Sequence, residues 1–141
     1  MIHAPLPEDT ENLGIALASS LHGKRVPAVV ALRGELGAGK SVFARAFVRY
    51  FLPEADVPSP TFTLVQPYQP PDGALPVWHF DLYRLKSPEE LVELGWDEAL
   101  RGIVLVEWPE RAGDFLPDDR IDVDIVVAPD GERLVGFKFG Q

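Results

Sequence analysis

Eight consecutive residues, Gly34 to Ser41, read Gly-Glu-Leu-Gly-Ala-Gly-Lys-Ser and have the composition of a phosphate-binding loop. They fit the pattern G-x-x-x-x-G-K-[ST]. Gly37 and Gly39 can adopt backbone angles closed to other residues, so successive N–H groups can turn inward onto an anion. We expect Lys40 to reach the outer phosphates and Ser41 to place its hydroxyl on Mg²⁺. The alternative is a chance glycine-rich turn, which the fixed spacing disfavours.

The segments on either side of this loop supply the strand and the helix that it needs. Ala28–Leu32 is an apolar run of strand length, and Val42–Phe51 has the periodicity of a helix. One face of that helix is apolar and the other carries arginines: Val42, Phe43, Ala46 and Phe47 against Arg45 and Arg49. The positive end of the helix would strengthen an anion site in the loop.

Two acids follow or interrupt predicted strands further along. Ile103–Val106 is typical of a strand buried on both faces, and Glu107 follows it directly. An acid in that place can hold Mg²⁺ or position water, whereas the alternative is a surface glutamate. Asp81 lies inside the predicted strand Val77–Tyr83, where an acid is unusual and indicates a functional role. A structural carboxylate held by Arg84 or by a backbone N–H is an equally good interpretation. Strand alternation puts Val77, His79, Asp81 and Tyr83 on one face of it, opposite Trp78, Phe80 and Leu82.

The first helix and two hairpins are predicted from periodicity and turn residues. The helix is expected to be capped by Asp9 or Thr10 and to end at His22–Lys24, with Leu13, Ala16, Leu17, Ser20 and Leu21 on its inner face. The antiparallel hairpins are Phe62–Tyr68 with Val77–Tyr83, and Ile121–Val127 with Arg133–Phe139. The second hairpin is expected to be half exposed.

Short helices are predicted between these hairpins. Ser87 and Pro88 indicate a helix start, and Gly95 indicates its end. Asp97 is expected to cap a short helix that reaches Leu100. Trp108, next to Glu107, could stack near a bound nucleotide or pack under a loop.

Composition limits the class of protein. The chain has 141 residues, 46% of them hydrophobic, which indicates one globular domain over residues 1–141. It has no cysteine, and its three histidines are scattered, so a thiolate or histidine metal cluster is not expected. No leader and no apolar run near 18 residues is visible, so we expect a soluble cytoplasmic protein without membrane contact. The net charge of −9 argues against direct tight binding of nucleic acid.

Five motifs in order resemble the TsaE (YjeE) family, the small P-loop ATPases of bacterial tRNA threonylcarbamoyladenosine modification. The resemblance covers most of the chain and is far more specific than a phosphate loop alone. The motifs are Gly34–Ser41, Ser59–Val65 with Tyr68, His79–Leu85, Glu90–Leu91 with Leu94–Gly95, and Leu105–Glu110.

The resemblance implies an α/β, P-loop NTPase-like three-layer fold with a mainly parallel central sheet and antiparallel hairpin additions. It implies ATP and Mg²⁺ as cofactors, slow hydrolysis by the protein alone, and a complex with TsaB and TsaD. It implies metal positions at Ser41 and Glu107, a switch-like threonine at Thr61, the motif acid at Asp81 and a tryptophan beside the nucleotide at Trp108. The implied phosphate-contacting residues are Gly37, Ala38, Gly39, Lys40, Ser41 and Val42, with Thr10 and Arg133 in segments that flank the nucleotide.

One departure lies in the phosphate loop, which ends Lys-Ser-Val where family members often have Lys-Thr-Thr. Ser41 keeps the hydroxyl for the metal, while Val42 offers only its backbone N–H, and we expect a small effect on nucleotide affinity.

The catalytic hypothesis is that Lys40 neutralises phosphate charge and that Glu107, with Ser41, fixes Mg²⁺. Asp81, with Thr61, would position the attacking water or sense the γ-phosphate. No arginine can be assigned to the transition state, and Arg84 and Arg111 are the candidates nearest the motifs.

Three other classes also use a phosphate loop or bind a nucleotide. A GTPase reads guanine with Asn-Lys-x-Asp, but the only asparagine, Asn12, precedes the phosphate loop, which argues strongly against that class. A small-molecule kinase usually needs an arginine-bearing lid and an acceptor pocket, and the nine arginines form no clustered lid segment, so this class is the alternative enzyme. A nucleotide-dependent binding module without a required hydrolysis cycle stays open.

Overall fold

A mixed sheet with a parallel centre organises the structure, a computed structural model that describes residues 1–35, 37–53 and 64–140. Within these residues the strands are β1 (Ile2–Ala4), β2 (Ala28–Arg33), β3 (Val65–Tyr68), β4 (Val77–Asp81), β5 (Ile103–Glu107), β6 (Ile121–Val127) and β7 (Arg133–Phe139). Their order is β1-β7-β6-β2-β5-β4-β3. The central strands β4, β5, β2 and β6 run parallel, whereas β3, β7 and β1 pair antiparallel at the two sides.

Helices cover both faces of this sheet. They are α1 (Pro7–Lys24), α2 (Lys40–Phe51), α3 (Glu90–Glu93), α4 (Trp96–Ala99) and a 3₁₀ helix over Pro109–Phe115. One core joins α1 and α2 to the sheet through Leu17, Phe43, Phe47 and Leu105, and a second core on the other face contains Phe80, Leu91, Trp96 and Val104. This three-layer arrangement confirms the expected fold class. Among the described residues, no helix combines the length and apolarity that crossing a membrane requires.

Helix α1 differs from its predicted form at its start and on its inner face. It begins at Pro7, and Asp9 Oδ2 accepts a hydrogen bond from the Leu6 N–H at 2.9 Å, so Asp9 acts from inside the first turn. The predicted caps were therefore wrong by several residues, because Pro7 already provides a helix start. Ala16 and Ser20 are exposed, while the buried face consists of Thr10, Gly14, Leu17, Ala18 and Leu21.

The strand and helix around the phosphate loop form as predicted. Strand β2 lies between β5 and β6, and its interior residues are buried because both of its edges are paired. Helix α2 begins at Lys40, directly after Gly39, whose φ of 108° is in the left-handed region. Apolar side chains of α2 face α1 and the sheet.

Both predicted hairpins are confirmed, but both strands of the first one are shorter than predicted. Strand β3 begins at Val65, because Leu64 has a left-handed φ of 66° and lies in a bend. Strand β4 ends at Asp81 instead of Tyr83, because Asp81 Oδ1 accepts a hydrogen bond from the Tyr83 N–H at 3.1 Å and starts a turn. The predicted residues Phe62 and Thr63 lie outside the described part of the chain.

The short helices shift by a few residues from their predicted starts. Helix α3 begins at Glu90, after a turn at Pro88, and α4 begins at Trp96, after Gly95 with φ of 87°. Strand β1 and the 3₁₀ helix were not predicted.

Candidate functional site

The site forms where parallel strands end side by side. In the register of the sheet, Asp81 at the end of β4 is paired with Glu107 at the end of β5, and Glu107 is paired with Leu32 of β2. Parallel strands direct their carboxyl ends to one edge, where ligands bind in open α/β sheets. The chain that leaves β2 at this edge is the glycine-rich loop, so both acids and the loop meet there.

The glycine-rich loop has the backbone that an anion cradle requires. Gly37 and Gly39 have φ of 81° and 108°, values that glycine adopts readily. A Cβ at Gly37 would meet no atom within 4 Å, so this position opens to the outside. The first N–H groups of α2, from Lys40 to Val42, have no acceptor in their own helix, and the helix dipole adds partial positive charge.

A cavity of about 440 Å³ lies between this loop and the strand ends. Its lining residues are Gly37, Gly39, Lys40, Ser41, Val42, Asp81, Tyr83, Glu107, Trp108 and Arg133. Three of the charged lining residues are almost fully buried: Lys40 is 6% exposed, Asp81 5% and Glu107 7%. The cavity therefore has a cationic wall and an anionic wall, both built from buried residues.

Within the described part of the chain, the buried Nζ atom of Lys40 has no hydrogen-bond partner. The ammonium lies 3.8 Å from the centroid of the Trp108 ring, a cation–π contact. Burial lowers the pKa of Lys40 below its usual value, although the charges of Glu107, Asp81 and Glu110 oppose that shift. An unpaired buried cation at the loop points to an anionic ligand.

Trp108 holds its ring over the cavity with an unusual backbone. Its φ of 57° and ψ of 51° are left-handed, a region that non-glycine residues enter at a cost. This turn directly follows β5 and directs the chain into the 3₁₀ helix. The Tyr83 ring packs against the indole with a centroid distance of 5.0 Å. Tyr83, Trp108 and Lys40 thus form a stack beside the loop.

Arg133 connects β7 to the carbonyl side of the loop. Its guanidinium donates to Gly37 O at 2.9 Å, to Ala38 O at 3.2 Å and to Gly131 O at 2.9 Å. A peptide whose carbonyl points toward Arg133 has its N–H pointing the other way. Arg133 therefore helps to hold the loop in a conformation that faces N–H groups away from β7.

The two acids are held differently. Asp81 accepts the backbone N–H of Tyr83, which agrees with the backbone-bonded alternative for this residue, and it lines the cavity as well. Glu107 Oε2 accepts a hydrogen bond at 2.6 Å from Nε2 of the buried His79. His79 precedes Asp81 by two residues in β4 and is on the same face of the strand.

Several residues named from the sequence lie elsewhere. Thr10 is buried in the first half of α1 and does not line the cavity. Ala38 is buried beneath the loop, where it borders a neighbouring cavity. Arg111 does not line the cavity, and its Nη1 donates to Leu85 O at 3.4 Å. Thr61 lies outside the described residues, so its proposed role has no structural counterpart here.

Sequence reasoning did not select Tyr83 or His79 for the site. His79 shares the face of β4 that carries Asp81, and alternation along the longer predicted strand placed Tyr83 on that face too, so strand alternation was the available signal. What alternation could not supply is the neighbouring strand, since the pairing of β4 with β5 joins residues far apart in sequence.

The oxygen atoms that line the cavity favour a hard cation that also contacts a bound phosphate. Among the residues that the structure describes, no three histidine or acidic side chains converge as a metal cluster. The cavity offers the Ser41 hydroxyl and the carboxylates of Asp81 and Glu107, which are oxygen donors. Mg²⁺ is usually held by one or two carboxylates together with phosphate oxygens and water. The residues present fit such an ion only when a phosphate completes the site.

A separate cavity of about 220 Å³ lies near the end of α1, with Leu21, Phe51 and Ile103 as apolar lining and His22, Arg25 and Asp72 as polar lining. Ile103 begins β5, so this cavity is at the opposite edge of the sheet from Glu107. It contains no residue of the glycine-rich loop.

Comparisons with known proteins agree with this site and fold. Residues 4–135 match the family model described as "Threonylcarbamoyl adenosine biosynthesis protein TsaE". A Rickettsia bellii protein named tRNA threonylcarbamoyladenosine biosynthesis protein TsaE is 43% identical over 129 residues, which are 90% of this chain and 86% of that protein. The Bacillus subtilis protein of the same name is 40% identical over 111 residues, which are 77% of this chain and 68% of that protein.

A solved structure shows the same fold. The crystal structure of Bacillus subtilis YdiB is similar with a TM-score of 0.78 and 31% sequence identity, covering 99% of this chain and 84% of that chain. The family model spans nearly the whole sequence, and the relatives align over most of their own length. The chain therefore belongs to the TsaE family.

Proposed function

We propose that this protein is a Mg²⁺-dependent P-loop ATPase that supports threonylcarbamoyladenosine modification of tRNA by acting on a TsaB–TsaD complex. The observation that carries the proposal is the cavity in which the start of α2 and the buried Lys40 face the buried acids Asp81 and Glu107. The pathway named for its relatives supports the tRNA role. The five sequence motifs support the TsaB–TsaD partnership through the family resemblance.

Charge balance supports a nucleotide together with a cation. A polyphosphate suits Lys40 and the N–H groups of the loop, but alone it would face two buried carboxylates. A divalent cation between phosphate and carboxylates removes that repulsion. In this proposal Ser41 and Glu107 hold Mg²⁺, and the ion supplies neutralisation of phosphate charge when bound.

The remaining roles follow from position. Backbone N–H groups of Gly37 and of Gly39 to Val42 bind phosphate oxygens, whereas the Ala38 N–H donates to Glu35 O at 3.0 Å. Trp108 packs beside the nucleotide. Asp81 orients the attacking water, with Thr61 as its proposed helper. Arg133 flanks the nucleotide from β7, whereas Thr10, which is buried in α1 away from the cavity lining, has no role in this proposal.

Slow turnover is expected for the protein alone. Arg133 lines the cavity, but its guanidinium already donates to three carbonyl oxygens and is not free to reach a transition state. An arginine that acts on the transferred phosphoryl group is worth about 10³–10⁵ in rate. A partner that supplies such a cation would accelerate hydrolysis, which is consistent with a partner-dependent ATPase.

The test is phosphate release from ATP, measured alone and with TsaB–TsaD, beside reconstituted tRNA modification. We expect weak release alone, stimulation by the partners, and tRNA modification that depends on this protein. Modification that needs bound ATP but proceeds without phosphate release would instead identify a nucleotide-dependent binding module. Transfer of phosphate to a small molecule would identify a kinase.

A further inference from the structure

The histidine beside the site is buried and makes one specific contact. His79 is 2% exposed and lies in β4, between β3 and β5. Its backbone is paired with Leu105, two residues before Glu107, so its ring reaches along the neighbouring strand to the carboxylate. The Nε2–Oε2 distance is 2.6 Å, short for a bond between nitrogen and oxygen and typical of a charge-assisted one.

The geometry determines which nitrogen of His79 carries the proton. An ionised carboxylate only accepts, so Nε2 donates to Glu107. The Nδ1 atom is buried and has no hydrogen-bond partner among the described residues. A bare lone pair at Nδ1 is tolerated better than an orphaned N–H, because buried donors without acceptors are costly. The contact therefore favours a proton on Nε2, which leaves Nε2 no lone pair for a metal.

The contact also fixes the direction of Glu107. A glutamate side chain has three rotatable bonds, and this one accepts no other hydrogen bond from the described residues. With Oε2 held by His79, the other oxygen remains for the cavity that Glu107 lines. Hydrogen bonds of this kind orient metal-binding carboxylates and raise the affinity of the site.

We infer that His79 is a positioning residue, which orients the Glu107 carboxylate toward the Mg²⁺ that accompanies a bound nucleotide. The inference rests on the proposed function, because it assigns a role within that metal site. A purely structural pair would stabilise the contact between β4 and β5 without affecting the cation. The two roles are separable because only the first makes Mg²⁺ affinity depend on the donor at this position.

The experiment compares His79→Leu, which has no donor, with His79→Gln, whose amide N–H₂ can occupy nearly the place of Nε2. Calorimetry measures ADP affinity in EDTA and then Mg²⁺ affinity of the protein–ADP complex. We expect His79→Leu to lower Mg²⁺ affinity by about 10- to 100-fold. ADP affinity in EDTA should stay unchanged, and His79→Gln should recover most of the lost Mg²⁺ affinity. In a Glu107→Gln background, His79→Leu should cause no further loss.

The inference is overturned if folded His79→Leu keeps wild-type Mg²⁺ affinity, or if His79→Gln is as impaired as His79→Leu. Absence of ADP binding by the wild-type protein would instead defeat the proposed function itself, and the inference with it. Should His79→Leu not fold, imidazole ¹⁵N spectra of the wild-type protein give a second readout. A spectrum with the proton on Nδ1 contradicts donation to Glu107, and one with the proton on Nε2 supports it.

Discussion

At the scale of single residues, Lys40 is the side chain whose surroundings change most when a ligand enters. Its ammonium lies on the Trp108 ring and has no hydrogen-bond partner in the residues that the structure describes. A cation–π contact contributes about 0.5–2 kcal/mol. Hydrogen bonds from a cation to phosphate oxygens contribute about 1.5–3 kcal/mol each, so phosphate should displace the indole as the partner of Lys40.

Replacing Lys40 with alanine should therefore weaken nucleotide binding strongly. For Lys40→Ala we expect ADP affinity to fall by at least about 10-fold, since one charged hydrogen bond is lost. Calorimetry measures this loss, and phosphate release should disappear with it. Lys24→Ala, at the exposed end of α1, is the matched control and should bind ADP like wild type. Undiminished affinity in Lys40→Ala would contradict the assignment.

The lowered pKa of Lys40 makes stability depend on pH in a defined direction. Between the lowered folded-state pKa and the usual value of 10.5, the unfolded chain binds more protons than the folded one. Stability from this group therefore rises as pH increases through that window. Relative to Lys40→Met, which lacks the titration, the wild-type free energy of unfolding should increase toward pH 10.5. Urea unfolding of both proteins at several pH values measures the difference, and a constant difference would exclude the effect.

At this scale the sequence predicted most of the charged residues that line the cavity, but it did not predict the side-chain contacts that hold them in place. Motif spacing located Lys40 and Ser41, and a strand-end acid indicated Glu107. The pairing of His79 with Glu107 and the contact of Arg133 with the loop both cross between distant segments. Local patterns carry no information about such contacts, because sheet pairing determines them.

At the scale of elements, the position of α2 depends on its close packing with α1. The two helices meet at Gly14, where a Cβ would lie 2.8 Å from Phe43 O and 3.4 Å from Phe47 N. Because α2 begins with Lys40, any displacement of this helix also moves the start of the site.

Gly14→Ala should destabilise the protein, whereas Gly23→Ala in the same helix should not. Overpacking typically costs about 1–3 kcal/mol, of which the better helix propensity of alanine recovers up to about 1 kcal/mol. At Gly23 a Cβ meets nothing within 4 Å, so only the propensity gain applies. Urea unfolding compares the two variants. Equal stability of both would show that α1 can shift without cost.

Elements with strong periodicity were predicted well, and those without it were not. Strands β2 and β5, helix α2 and the hairpin of β6 with β7 agree with their predictions within a residue or two. Strand β1 has only three residues and depends on pairing with β7. The 3₁₀ helix follows from the left-handed turn at Trp108, a backbone state that no residue preference at that position would suggest.

At the scale of the whole molecule, the site joins segments from both halves of the chain. The loop and α2 come from the first half, and β4, β5 and β7 bring Asp81, Glu107 and Arg133 from the rest. A ligand that contacts all of them is bound only by the folded protein. Binding therefore adds to the free energy of unfolding of the entire domain.

Mg²⁺ with ADP should raise the unfolding free energy by about 2.7 kcal/mol at one hundred times the dissociation constant. Thermal or urea unfolding with and without the ligand measures this gain. Lys40→Ala at the same ligand concentration should gain much less. No gain in wild type at saturating ligand would contradict binding in the cavity.

The left-handed backbone at position 108 favours glycine, whereas the site contains a tryptophan there. Trp108→Gly and Trp108→Ala lose the same ring, but alanine must keep a Cβ in the left-handed region. We expect the glycine variant to be more stable than the alanine variant by about 1 kcal/mol, as urea unfolding can measure. Equal stabilities would show that the turn carries no strain.

Heat selection on variants that have already lost the indole should accordingly enrich glycine at position 108 over alanine and other residues with a Cβ. The indole itself adds to stability through its contacts with Tyr83 and the second core, so neither heat nor nucleotide-dependent activity should select against tryptophan. The order in which small residues survive heating at this position would therefore report the backbone angle of the turn.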